Sequence, residues 1–251
     1  MQAIILAAGS GTRLKHLTKS DPKCMVKLNG KPLVEYQLNA MQMNEINKVN
    51  MVCGYKHEKI KYKNVSYFIN KKYAETNMVY SLFCAKEVLN SGHDIIISYG
   101  DIIYSREILN LFISSNSEIN IAVDLDWQKY WEQRMDDPLQ DAETLKFDKD
   151  FNIYELGKRP KSLAEIQGQY IGLIKLKADI AKNLFSIWDD MDKKEIYDSK
   201  TFENMYMTSF LQYLIDIGVN LKAIPIHGGW AEIDTPKDIE VAEFLLNSKK
   251  I

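Results

Sequence analysis

The stretch ILAAGSGTRL, residues 5–14, runs from an apolar segment into Gly9 and Gly11, followed by Thr12 and Arg13. Glycines that follow a strand let backbone N–H groups of residues 9–12 turn toward an anion, and Arg13 sets a guanidinium beside them. Two familiar phosphate loops are excluded. Thr12–Arg13 stand where a P-loop requires Lys–Ser/Thr, and Leu14 replaces the third glycine of a dinucleotide-binding turn. A plain strand-to-helix turn fits this decapeptide equally well, so its company decides. In DPKCMVKLNGKPLVEYQL (21–38), Pro22 stiffens the backbone just ahead of Lys23 and presents a second cation. A backbone nest flanked by two cations suits a triphosphate better than a neutral ligand.

Two acidic positions complete this chemistry. IIISYGDIIY (95–104) is an apolar strand ending at Tyr99–Gly100–Asp101. In a parallel α/β sheet, ligands gather beyond the carboxyl ends of strands, which is where Asp101 falls. In GGWAEIDTPKDIEVA (228–242), Glu232 and Asp234 share one face if the segment is extended. Mg²⁺ takes one or two carboxylates together with phosphate oxygens and water, and Asp101 with Asp234 meets that need. Glu232 is left as a third ligand or an acceptor contact. Helix capping is the plainer role for both aspartates, Asp101 near residue 105 and Asp234 before the last helix.

A nest, two cations and Mg²⁺ stabilise charge on phosphorus but supply no general base. The fitting nucleophile is therefore an oxygen already ionised at neutral pH, as in a phosphate monoester or phosphonate. Such a set would run in-line attack on the α-phosphorus of a nucleoside triphosphate, with pyrophosphate leaving. His16, His57, His93 and His227 show no metal-ligand spacing, and no G-x-S-x-G elbow is present.

These residues need a scaffold. Runs at 3–7, 48–53, 66–69, 94–99 and 119–124 read as strands, and helical spacing appears at 32–41, 76–89 and 106–113. The alternation predicts a mixed, mostly parallel α/β sheet with helices on both faces, in one domain spanning 1–251. Beyond residue 125, runs at 144–148, 152–157 and 168–176 suggest strands that extend or cover the sheet. Residues 125–175 are expected to form an acceptor-side lid. Helices near 178–190 and 202–217, a strand at 221–226, and a helix starting at Thr235–Pro236 close the chain. The apolar side of helix 202–217 suits the core or a homodimer face equally.

Composition is that of an ordinary soluble chain, with 46% hydrophobic and 26% charged residues and a formal charge of −2. That balance argues against a protein that coats nucleic acid. Cys24, Cys53 and Cys84 have no C-x-x-C spacing and read as buried free thiols, which fits a reducing cytoplasm. The opening MQAIILAAG lacks a basic lead and the length to cross a bilayer, so no membrane association is expected.

The elements L-A-A-G-x-G-T-R-L, P-K and K-P-L together resemble the signature of the sugar-phosphate nucleotidyltransferases. ETNMVYSL (75–82), DPLQDAETLK (137–146), GQYIGLIK (168–175) and GGWAEIDTPKDI (228–239) look like their small cytidylyltransferases, which activate phosphocholine, aminoethylphosphonate or phosphoglutamine. The similarity is most pronounced with the phosphoglutamine enzymes of capsular phosphoramidate synthesis. The resemblance implies CTP as nucleotide, Mg²⁺ as cofactor, and catalytic roles for Arg13, Lys23 and Asp101. It implies nucleotide contacts from Leu6, Ala8, Gly9, Gly11, Asn77 and Ser81, and a metal held by Asp101 and Asp234. Lys158, Gln169, Tyr170, Trp230 and Glu232 are the expected acceptor contacts. Asn77 is equally a helix cap, and Lys158 equally a solvated basic turn. Trp127, Trp131 and Arg134 in DWQKYWEQRMDDPLQDAE (126–143) fit a pocket wall or a packing face. The competing expectations are a sugar-1-phosphate uridylyl- or thymidylyltransferase, and a non-catalytic nucleotide sensor.

Overall fold

Seven of the apolar runs enter a single sheet in the computed structural model, which describes all 251 residues. They are β1 (Gln2–Ala7), β2 (Val49–Cys53), β3 (Val65–Ile69), β4 (Ile95–Tyr99), β5 (Ile119–Asp124), β6 (Gln169–Leu176) and β7 (Leu221–Ile226). Their spatial order is β7-β5-β6-β4-β1-β2-β3. β6 is antiparallel to both neighbours, and every other pairing is parallel.

The central strands read as unbroken apolar runs because both faces are covered. In β1, Ala3, Ile5 and Ala7 enter one core and Ile4 and Leu6 the other. The first core is closed by helices Leu33–Met43, Arg106–Ser114, Trp127–Arg134 and Pro236–Asn247. Helices Met78–Phe83, Ala178–Asp189 and Met207–Asp216 close the second. No helix is long and apolar enough to cross a membrane.

The chain leaves β1 for β2 and β3 on one side, then returns to β4 on the other. That reversal opens a crevice beyond the carboxyl ends of β1 and β4, the place where open α/β sheets bind ligands. A second ladder borders it: Trp230–Glu232 pairs antiparallel with Ile102–Tyr104, and the Ile233 N–H donates to the Asp101 carbonyl at 2.9 Å.

Three expectations are corrected. The runs at 144–148 and 152–157 form a separate antiparallel ribbon, packed against helix Met207–Asp216 and bridged to edge strand β7 at Asn152–Lys222. The helical stretch 76–89 splits into Met78–Phe83 and Lys86–Leu89, because the Ala85 N–H bonds three residues back, to the Leu82 carbonyl. The helix expected from 202 begins at Met207. Its first residues are held elsewhere, with the Glu203 and Asn204 carbonyls accepting from the Asn77 N–H and Nδ2. Phe202, Met205, Phe210 and Leu214 are buried, so this face serves the core. Cys24 and Cys53 are buried as expected, whereas Cys84 is half-buried, and all three are free.

Candidate active site

The glycine bend lies in the wall of a cavity of about 260 Å³ at the end of β1. All six residues expected to contact nucleotide line it: Leu6, Ala8, Gly9, Gly11, Asn77 and Ser81. The backbone N–H groups of Gly9, Ser10 and Gly11 make no hydrogen bond within the protein. Such free donors in succession match the oxygens of a phosphate chain. Gly11 sits at φ 63°, in the left-handed region. A Cβ there would come within 3.0 Å of the Lys23 Cβ, so glycine both makes the bend and admits the lysine stem. Asn77 caps helix Met78–Phe83 through its Oδ1, 2.8 Å from the Met78 N–H, while also lining the cavity. Capping and cavity lining therefore coexist. The Ser81 hydroxyl accepts from Asn70 Nδ2 at 3.0 Å.

Lys23 stands on the short turn Lys23–Met25, entered from Pro22. Its Nζ donates to Asp101 Oδ2 at 2.7 Å and contacts Asp234 Oδ1 as well. Arg13 reaches the other Asp234 oxygen at 2.7 Å from a largely exposed position. Burial disfavours the Lys23 ammonium, but Asp101, Asp234 and Glu232 outweigh it and hold the group above the ordinary lysine range. Burial likewise opposes the Asp234 carboxylate, and Lys23, Arg13 and Arg134 overcome it to hold Asp234 below its ordinary value. Neither aspartate caps a helix. Ser105 precedes helix Arg106–Ser114, and Thr235 caps the last helix in a reciprocal box with Asp238.

Asp101, Glu232 and Asp234 bring one carboxylate oxygen each within 4.8 Å of the others. The antiparallel ladder sets this meeting, since Glu232 pairs with Ile102. Arg134 supports the cluster from behind, with its guanidinium 2.9 Å from Glu232 and 2.8 Å from Asp238. Burial pushes the Glu232 carboxyl up, and Arg134 offsets this only in part. Asp101 Oδ1 is buried without a hydrogen-bond partner. Three hard oxygen donors, one of them unmatched, form a set that could hold a divalent cation.

Gly100 lets this end of β4 lie against β1. Its N–H donates to the Leu6 carbonyl at 2.8 Å, and a Cβ would come 2.8 Å from that oxygen and 2.9 Å from the Ala7 Cβ. Neither neighbour can swing aside. Gly100→Ala is expected to cost about 1–3 kcal/mol of stability, read as a lowered urea midpoint. An unchanged midpoint would mean that the two strand ends separate freely.

A second cavity, about 610 Å³, adjoins the first, and Arg13, Asn77, Met78 and Asp234 line both. Four of the five expected acceptor contacts, Gln169, Tyr170, Trp230 and Glu232, line it. An irregularity in the β6–β5 pairing between Tyr170 and Ile174 re-aims the start of β6 toward this space. Trp230 is mostly core, with its indole N–H on Asp124 Oδ2 at 2.8 Å. Trp127 and Trp131 form one aromatic cluster with Tyr130 and Trp230, and Trp131 also faces the cavity.

Lys158 is the expected acceptor residue that the structure does not bring here. Its ammonium pairs with Glu155 at 3.1 Å on an exposed turn, a partner one helical turn's spacing away in sequence. His227 likewise points away, onto Asp126 at a separate surface depression. Asp141, Glu143, Tyr99, Tyr206 and Thr208 line the second cavity without having been singled out from sequence. They come from three segments, the end of β4, the loop at 141–144 and the start of helix Met207–Asp216, and only the stretch DPLQDAETLK, which holds Asp141 and Glu143, carried a signal.

A crevice at the strand reversal, free N–H groups and a lysine between two carboxylates are features that a nucleotidyltransferase would need. Residues 3–133 match the MobA-like NTP transferase domain, and the chain belongs to that family. It is 44% identical over 250 residues to the CTP:phosphoglutamine cytidylyltransferase of Campylobacter jejuni, covering 96% of this chain and 98% of that one. The solved structure of CTP:phosphocholine cytidylyltransferase from Streptococcus pneumoniae superposes with a TM-score of 0.72 at 25% identity, covering 98% of both chains. The inositol-1-phosphate CTP transferase of T. maritima shares the fold, with a TM-score of 0.75 at 22% identity over 99% of this chain and 95% of that one.

Proposed function

We propose that this chain transfers the cytidylyl group of CTP to the phosphate of a small phosphorylated amine or amino acid, phosphoglutamine first, and releases pyrophosphate. The observation that carries this reading is the junction of the two cavities at Arg13 and Asp234, beside Lys23. One cavity has free N–H donors for a triphosphate, and the other has room for a small acceptor. The 44% identity to a phosphoglutamine enzyme across nearly its whole length supports the choice of nucleotide and acceptor.

In this reading the N–H groups of Gly9, Ser10 and Gly11 orient the phosphate chain. Lys23 and Arg13 offset the charge that grows on the departing pyrophosphate. An acceptor phosphate is already ionised at neutral pH, so no protein base is required. Leu6, Ala8, Asn77 and Ser81 bound the nucleoside, while Gln169, Tyr170, Trp230 and Glu232 bound the acceptor. Residues 125–175 close the acceptor side through Trp131, Asp141 and Glu143. The carboxylates fit Mg²⁺, which Asp101 and Asp234 would hold, with Glu232 near enough to be a third donor in place of an acceptor contact. When bound, the ion would neutralise triphosphate oxygens.

The test is pyrophosphate release with Mg²⁺, pairing CTP, UTP and dTTP with phosphoglutamine, phosphocholine, aminoethylphosphonate and hexose 1-phosphates. CTP with phosphoglutamine is expected to give the highest kcat/KM. A preference for UTP or dTTP with a hexose phosphate would overturn the reading in favour of a sugar nucleotidyltransferase. CTP binding without turnover on any acceptor would mark a nucleotide sensor.

A further inference from the structure

We propose that Glu143 sets acceptor specificity by receiving a primary ammonium group of the acceptor in the second cavity. The inference rests on the proposed function for the acceptor being a phosphorylated amine. Four carboxylates line this cavity, those of Asp141, Glu143, Glu232 and Asp234, against the single cation Arg13. Three of them are already engaged. Glu232 pairs with Arg134, Asp234 with Lys23 and Arg13, and Asp141 accepts from the Trp131 indole at 3.0 Å. Glu143 has no cationic partner, and its carboxylate receives only a long bond, 3.4 Å, from the Thr208 hydroxyl.

Nor is this a free surface acid. Gln169 grips its backbone at two points, accepting from the Glu143 N–H at 3.1 Å and donating to its carbonyl at 2.5 Å. Burial, with Asp141 and Asp198 adding to it, pushes the Glu143 carboxyl up to about 7 against the Thr208 bond. The Tyr170 hydroxyl is buried in the same wall, beside the Tyr99 side chain. An uncompensated carboxylate on a clamped backbone calls for a ligand that carries both positive charge and N–H donors. A primary ammonium brings three donors, whereas a trimethylammonium brings charge alone and a sugar hydroxyl brings no charge. Gln169 then acts as a positioning residue.

The test is calorimetric titration of the full chain, wild type and Glu143→Gln, at mildly alkaline pH where this carboxyl is ionised. The probes are phosphoglutamine, its analogue lacking the α-amino group, and CTP, with pyrophosphate release followed in parallel. Glu143→Gln is expected to weaken phosphoglutamine about 10- to 100-fold. The des-amino analogue should stay within about threefold, and CTP affinity should stay unchanged, which also reports an intact fold. Equal weakening of both acceptors, no weakening of either, or no phosphoglutamine binding by the wild type would overturn the inference. Ammonium-selective binding without turnover of CTP would overturn the proposed function and leave this inference standing. Turnover with an indifferent Glu143→Gln would do the reverse.

Discussion

Lys23→Ala is expected to lower kcat about a hundred- to a thousandfold while circular dichroism remains that of the folded chain. In the reaction proposed, one anion attacks another, so each fixed cation at the junction lowers the barrier more than it would in water. Loss of one preorganised electrostatic contact typically costs about 2.7–4 kcal/mol in the transition state. Lys23 is the buried member of the cation pair, held by two carboxylates and by the turn behind Pro22. Arg13, largely exposed, should matter less, because solvent screens it. The fold should survive because Asp234 keeps its contact with Arg13. A kcat for Lys23→Ala within about threefold of wild type would remove the lysine from the reaction.

Asp101→Asn should be at least as damaging, with kcat lowered about a hundredfold or more and a higher Mg²⁺ concentration needed for half-maximal rate. The change keeps size and one oxygen but removes the charge. Asp101 offers Oδ2 to Lys23 and leaves Oδ1 buried and unmatched, beside Glu232 and Asp234. Neutralising it weakens both the lysine clamp and the oxygen set at once. Asp234→Asn should behave similarly, since the same lysine bridges the two. An unaltered Mg²⁺ requirement in Asp101→Asn would separate that residue from the metal.

The scaffold around these residues was legible where its causes are local. Strands β1, β2, β4 and β5 and helix Leu33–Met43 fall within a residue or two of their expected bounds, because apolar runs and spacing decide them. The glycine bend, Pro22–Lys23 and the strand-end Asp101 were legible for the same reason. The meeting of Asp234 with Asp101 was expected from the carboxylates that Mg²⁺ needs and from the family resemblance, whereas the ladder that joins them is a long-range pairing.

What stayed hidden depends on tertiary contacts. The late start of helix Met207–Asp216 comes from bonds between residues 203–204 and the loop before Met78, which no local spacing records. Lys158 was misplaced because its ion pair with Glu155, three residues back, competes with any longer reach. The second cavity draws Tyr99, Gln169 and Thr208 from two strands and a helix, and Glu143 from a loop. Gln169 was expected to touch the acceptor, but in the structure its amide is spent on the Glu143 backbone. That clamp needs two residues far apart in sequence to be neighbours, and only the coordinates make them so.

A crystal structure of this protein with CTP and Mg²⁺ bears most directly on the whole account. The expected density has phosphate oxygens on the N–H groups of Gly9–Gly11, the ion between Asp101 and Asp234, and Lys23 turned from the carboxylates onto the triphosphate. A triphosphate seated away from that bend, or an ion that ignores both aspartates, would contradict it.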